Sequence, residues 1–143
     1  MNLNSMKKIV LVSLLALFCS AAFAQTKLTV TIENIKGKKG SLRLGVFDSE
    51  EGFLKKAIGG RVIKPEGDKV TIVFDDLKPG KYAISIIHDE NDNGEVDKKA
   101  FGIPKEGLGF SNNVMGKFGP PTFEESSFTI DDSKEIVIKM LYL

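Results

Sequence analysis

The sequence predicts an all-β fold: an antiparallel two-layer β-sandwich of six to seven strands, immunoglobulin-like or transthyretin-like, with one long ordered loop. Three observations predict it. Apolar and polar residues alternate with period two in several short segments. Gly, Pro and Asx clusters separate those segments at strand-length spacing. One segment is apolar on both faces, as a central strand would be.

In chain order, Leu28, Val30 and Ile32 alternate with Thr29, Thr31 and Glu33, and Gly37-Lys38-Lys39-Gly40 supplies a turn. Leu42, Leu44 and Val46 then alternate with Ser41, Arg43 and Gly45, so the two segments are expected to form the first hairpin. Asp48 or Ser49 is expected to cap a short helix through Glu50, Glu51, Phe53, Leu54 and Lys55, weakened by Gly52 and ended by Gly59-Gly60. Arg61 to Lys64 reads as an edge strand stopped by Pro65. Val70, Ile72 and Phe74 form the next inward face, and Pro79-Gly80 fits the centre of a type II turn. Tyr82, Ile84 and Ile86, with Ala83, Ser85 and Ile87 opposite, make the central strand. Ser127 to Ile130 and Ile136 to Tyr142 close the domain around a turn at Asp131–Lys134.

The 143-residue chain carries 20 Lys+Arg, 19 Asp+Glu, one Cys, one His and no Trp, with 42% hydrophobic and 27% charged residues. That composition is globular, and its near-zero charge lacks the basic footprint of a nucleic-acid binder. Residues 1–24 read as a cleaved signal peptide: Lys7 and Lys8, an apolar run from Ile9 to Phe18, then Ala22-Phe23-Ala24 before Gln25. The run is shorter than the roughly 20 apolar residues of a membrane span. Cys19 follows the bulky Phe18, which argues against a lipid anchor. Residues 25–143 then form one domain without cysteine, hence without disulfide or thiolate chemistry, in the periplasm or secreted.

About 35 residues, 89–123, lack convincing periodicity yet hold Phe101, Ile103, Leu108, Phe110 and Phe118 among glycines and prolines. So much apolar surface predicts a folded excursion. It reads either as a cap on the sandwich or as a binding surface, with Phe101, Phe110, Asn112, Asn113 and Phe118 as contact residues for a protein, peptide or glycan.

The excursion opens with Asp89, Asn91 and Asn93 two apart, then Gly94, Glu95, Val96 and Asp97. This matches the first nine positions of a calcium loop: oxygen donors at 1, 3, 5 and 9, Gly at 6 and the Glu95 carbonyl at 7. Position 12, normally a bidentate Glu, is Ala100, so a site would need completion from elsewhere, for example by Glu106. The alternative is a metal-free turn, since Asn-Gly favours a type I′ hairpin and Asx side chains bond nearby amides.

Catalytic constellations are weak. His88 is the one histidine, at a strand end, and Asp89 beside it points to the opposite face. A Ser111–His88–Asp89 triad is therefore not expected, and Gly109-Phe110-Ser111-Asn112-Asn113 is no nucleophile elbow. A hydrolase using His88 and loop acids is the less favoured alternative to a non-catalytic binding or structural module. A carbohydrate- or peptide-binding module is the nearer alternative, weakened for glycans by the missing Trp.

Together Leu77-Lys78-Pro79-Gly80-Lys81-Tyr82, His88-Asp89-Glu90-Asn91 with Asn93-Gly94 and Asp97, Phe101-Gly102-Ile103-Pro104-Lys105-Glu106-Gly107, Gly109-Phe110-Ser111-Asn112-Asn113 and Phe118-Gly119-Pro120-Pro121-Thr122-Phe123 make a specific set. On these the chain, from about Leu28 to Tyr142, resembles a bacterial family of short exported proteins known only as a domain of unknown function. The Leu-x-Pro-Gly-x-Tyr stretch alone recurs in transthyretin-like and carboxypeptidase-regulatory-like sandwiches. The resemblance implies export and a sandwich; it supplies no activity to carry over.

Overall fold

The computed structural model describes residues 2–4 and 26–143. The basic and apolar regions of the expected signal peptide, Cys19 and the cleavage site lie outside the described residues. No described helix is long and apolar enough to cross a membrane.

Among the described residues eight strands form two sheets: β1 (Lys27–Glu33), β2 (Ser41–Phe47), β3 (Gly59–Ile63), β4 (Val70–Phe74), β5 (Gly80–Asp89), β6 (Gly107–Phe110), β7 (Phe128–Ile130) and β8 (Ser133–Lys139). One sheet runs β4-β1-β8. The other runs β3-β2-β5-β6, and β7 pairs with the first residues of β5. Leu28, Val30, Ile32, Phe74 and Ile138 of the first sheet meet Leu42, Leu44, Val46, Ile84 and Ile86 of the second in one core. The expected two-layer sandwich is present, with eight strands rather than six or seven.

Strand partners depart from expectation where alternation is silent. β1 and β2 do not form a hairpin. β1 pairs antiparallel with β4 and in parallel with β8, so the sandwich is not wholly antiparallel. The chain between β1 and β2 changes sheet: Asn34 and Gly37 take left-handed backbone, and Ile35 is buried in the core with its amide bonded to the Asp68 carbonyl. A period of two says which face a residue occupies, and many neighbours satisfy the same face.

Other differences are local. The segment after Asp48 is a series of turns and not a helix. Ser49 Oγ accepts the Gly52 amide at 3.2 Å as a cap would, but Leu54 at φ 59 ends the run. Gly59 and Gly60 open β3 instead of closing a helix. Gly80 does not take the positive φ a type II turn requires; it opens β5, and Tyr82 Oη bonds the Lys78 carbonyl at 2.7 Å.

β5 is central, as its two apolar faces predict. It pairs with β2 from Ala83 to Asp89 and with β6 from Ser85 to His88. β6 escapes pattern reading because its inward positions are glycines. A Cβ on Gly107 would lie 2.4 Å from the Tyr142 ring, and one on Gly109 2.9 Å from Ile138. A short helix, α1 (Phe123–Ser126), follows the loop. Its capping box, Thr122 with Glu125, stands in the sequence as Thr-x-x-Glu, a signal that finds it. Phe123 of α1 joins Phe47, Phe53, Ala83 and Phe110 in a second, smaller core on the other face of the five-stranded sheet.

Candidate functional site

The outer face of the five-stranded sheet carries two adjacent features, an acidic turn and an apolar cleft. The turn begins where β5 ends. Alternation sends His88 inward and Asp89 outward. Asp89 is fully buried. Its Oδ1 accepts the Asn93 amide at 3.2 Å; its Oδ2 accepts the Gly94 amide at 2.8 Å and Arg43 Nε at 2.9 Å. Burial opposes the charge, but these amides and the guanidinium prevail and hold the Asp89 carboxyl below the usual carboxylate range. Gly94, at φ 79, supplies the tight turn that delivers its own amide.

Asn91 Nδ2 reaches Asp97 Oδ2 at 2.6 Å, and Asn93 Nδ2 reaches both Asp97 oxygens at 3.1 Å. The Oδ1 atoms of Asn91 and Asn93 accept the amides of Asn93 and Glu95 at 3.2 and 2.9 Å. The structure thus gathers Asn91, Asn93 and Asp97 behind Asp89, while the Glu95 side chain is exposed. Among the described residues, no three His, Cys, Asp or Glu side chains are gathered as a ready-made metal site.

Glu106 is 4% exposed, and among the described residues neither of its carboxylate oxygens has a hydrogen-bond partner. Glu106 immediately precedes β6, whose first residue, Gly107, pairs with His88, and the Asp89 charge acts on it from the end of β5. The Lys105 amide bonds the Asp97 carbonyl at 2.8 Å, tying the same segment to the end of the turn. Burial pushes the Glu106 carboxyl above the usual range; the Asp97 backbone amide, nearby but outside hydrogen-bond geometry, offsets part of this, and the charges of Asp89, Asp97 and Glu90 add to it.

The cleft has a volume of about 1060 Å³. Its floor is the outer face of β2, β5 and β6: Gly45 and Ser85, paired in register, then Ile87 and Leu108, also paired. The long loop supplies walls through Phe101, Ile103, Met115 and Phe118, and the rings of Phe101 and Phe118 are fully exposed. Arg43, Lys98 and Lys117 are charged residues along it; Arg61 also borders it, but its guanidinium stacks on the Phe74 ring at the main core, and no acidic side chain lines the cleft among the described residues.

The expected contact residues divide. Phe101 and Phe118 line the cleft. Phe110 lies mostly in the second core, with its edge at the cleft. Asn112 Nδ2 bonds the carbonyls of Glu125 and Ser127 at 3.0 and 2.8 Å, and Asn113 bonds the Val137 carbonyl and the Lys139 amide at 3.0 and 2.7 Å. Both asparagines use left-handed backbone to staple the loop to α1 and β8. The sequence alone does not assign the floor residues or the cleft cations to a site. Their signal is the second apolar face of β5, which the reading assigns to burial alone.

His88 is fully buried, with Nδ1 2.8 Å from Tyr142 Oη and Nε2 2.8 Å from the Lys39 carbonyl. Ser111 Oγ accepts the Ile84 amide at 2.9 Å and donates to the Ser126 carbonyl. The two side chains are spent on separate structural bonds and form no nucleophile–base pair.

No curated protein and no solved structure matches this chain. One family model does, over residues 30–138, a span running from β1 to the end of β8 through the turn, Glu106 and the cleft walls. The chain belongs to that family, the uncharacterised proteins conserved in bacteria designated DUF2141.

Proposed function

We propose that this protein is an exported, non-catalytic binding module that holds an amphipathic small molecule, apolar in body and anionic at its head. The cleft carries the reading. Its volume of about 1060 Å³ is at the upper end of ligand pockets, which run to about 1,000 Å³. Its apolar floor is a packed sheet, and the charged side chains along it are cationic among the described residues. Phe101 holds its exposed ring at φ 62, a conformation that costs a bulky residue about 1–3 kcal/mol. Strain kept for a ring outside the core favours a role in contact with a ligand.

An acyl chain or fused aromatic system would lie on Ile87 and Leu108. Its head would meet Arg43, which lines the cleft and whose Nε is committed to Asp89, leaving the terminal nitrogens as donors. Ser85 is the one uncharged polar side chain among the lining residues, so a glycan would find few partners. The basic stretch, apolar run and Ala-x-Ala pattern support export, which mass spectrometry of the envelope fraction tests by finding Gln25 at the N-terminus.

Calorimetry with submicellar dodecanoate and with dodecyltrimethylammonium tests the cleft. Dodecanoate is expected to bind, and the cationic amphiphile of equal chain length to bind at least about tenfold more weakly. A Phe101→Ala/Phe118→Ala double variant should lose dodecanoate binding and keep its melting temperature. Absence of binding, equal binding of both amphiphiles, or an unaffected double variant would each overturn the reading.

A further inference from the structure

We propose that the acidic turn and Glu106 together form a calcium site, with oxygens from Asp89, Asn91, Asn93, the Glu95 backbone, Asp97 and Glu106. The turn alone would not carry this, because its Asx bonds account for its shape without a metal. Glu106 changes the argument. It is a buried carboxylate with both oxygens unpartnered among the described residues, near Asp89 and tied through Lys105 to Asp97. Like charges held close together in a buried setting repel. Arg43 answers one of these carboxylates, and no described cation answers the other.

A divalent ion resolves both difficulties. It supplies the missing positive charge, and it gives the Glu106 oxygens the contacts that burial denies them. Glu106 takes the part of the bidentate acid of a calcium loop, delivered from β6 instead of the position held by Ala100. The donor set is six hard oxygen groups, the lower end of what Ca²⁺ takes at 2.3–2.6 Å. Asp97, now held by the two asparagine amides, would turn onto the ion. Mg²⁺, which demands near-ideal octahedral geometry at 2.0–2.1 Å, suits so irregular a set poorly. Asp89 would contribute Oδ1, since Oδ2 is held by Arg43 and Gly94.

Titration of the purified protein with calcium chloride, by calorimetry and thermal melting against a chelated control, tests the site. Heat uptake or release saturating below about 1 mM calcium is expected, with a higher melting temperature than in chelator and a weaker response to magnesium. Glu106→Gln keeps size and loses the charge. It should bind calcium at least about tenfold more weakly while melting no lower than the parent in chelator. Asp97→Asn should weaken calcium in the same way. No response at 10-fold higher calcium, about 10 mM, or a parent-like response in Glu106→Gln, would overturn the proposal. Dodecanoate binding in chelator reads the cleft separately, so failure of one site is not failure of the other.

Discussion

Arg43 Nε lies 2.9 Å from Asp89 Oδ2, and this ion pair joins the floor of the cleft to the root of the acidic turn. Asp89 is buried and Arg43 is 40% exposed, so the pair is anchored at one end and open to the cleft at the other. Arg43→Met would leave Asp89 with its two amide donors and no cation. We expect a loss of about 1–2 kcal/mol in urea unfolding, discounted because the guanidinium is partly hydrated. The Asp89 carboxyl is depressed in the fold. Its contribution to stability is therefore present above the ordinary aspartate value and is lost as pH falls through its lower folded value. Asp89→Asn should flatten that acid limb.

The loop aromatics should separate into structure and surface. Phe110→Ala removes a ring from the second core and should cost about 3–5 kcal/mol. Phe118→Ala should stay within about 0.5 kcal/mol of the parent. At Phe101, φ 62 favours glycine, so Phe101→Gly should be more stable than Phe101→Ala by about 1 kcal/mol. Urea denaturation of the four variants checks the set.

The capping box of α1 fixes the loop's return to the sheet. Thr122→Ala should cost about 0.5–2 kcal/mol, read by thermal melting. The backbone amide and hydroxyl of Thr122 hold the Glu125 carboxyl below its usual range. That contribution is present above the ordinary glutamate value and lost as pH falls through the folded value, so Glu125→Ala should matter less in acid.

The inward glycines of β6 should tolerate no side chain. Gly107→Ala would drive a methyl to 2.4 Å from the Tyr142 ring, whose hydroxyl bonds His88. We expect a loss of about 1–3 kcal/mol, the range for overpacking a filled core. Gly119→Ala, with nothing within 4 Å of the added Cβ, should be silent. Chemical denaturation distinguishes them.

Much of the strand pattern was legible because burial imposes a period of two. Leu28, Val30 and Ile32, and Tyr82, Ile84 and Ile86, occupy the core as their alternation requires. The Asp89–Asp97 turn was legible because Asx and Gly bond and bend locally. β6 was hidden because glycines mark its inward face, and α1 because its capping box is only four residues long. Asn112 and Asn113 resemble contact residues in the sequence; which carbonyls they reach depends on α1 and β8, distant along the chain.

The sequence by itself determined which side of each main strand faces apolar matter and where the chain turns sharply, since both follow from neighbours a few residues apart. Only the tertiary structure decided that β1 runs parallel to β8, that Glu106 stands near Asp89 and unpartnered among the described residues, and that Ile87 and Leu108 share the floor of a cleft. Those are pairings between segments that no local periodicity couples. They are selected by the packing of whole sheets, where one choice of neighbour excludes another.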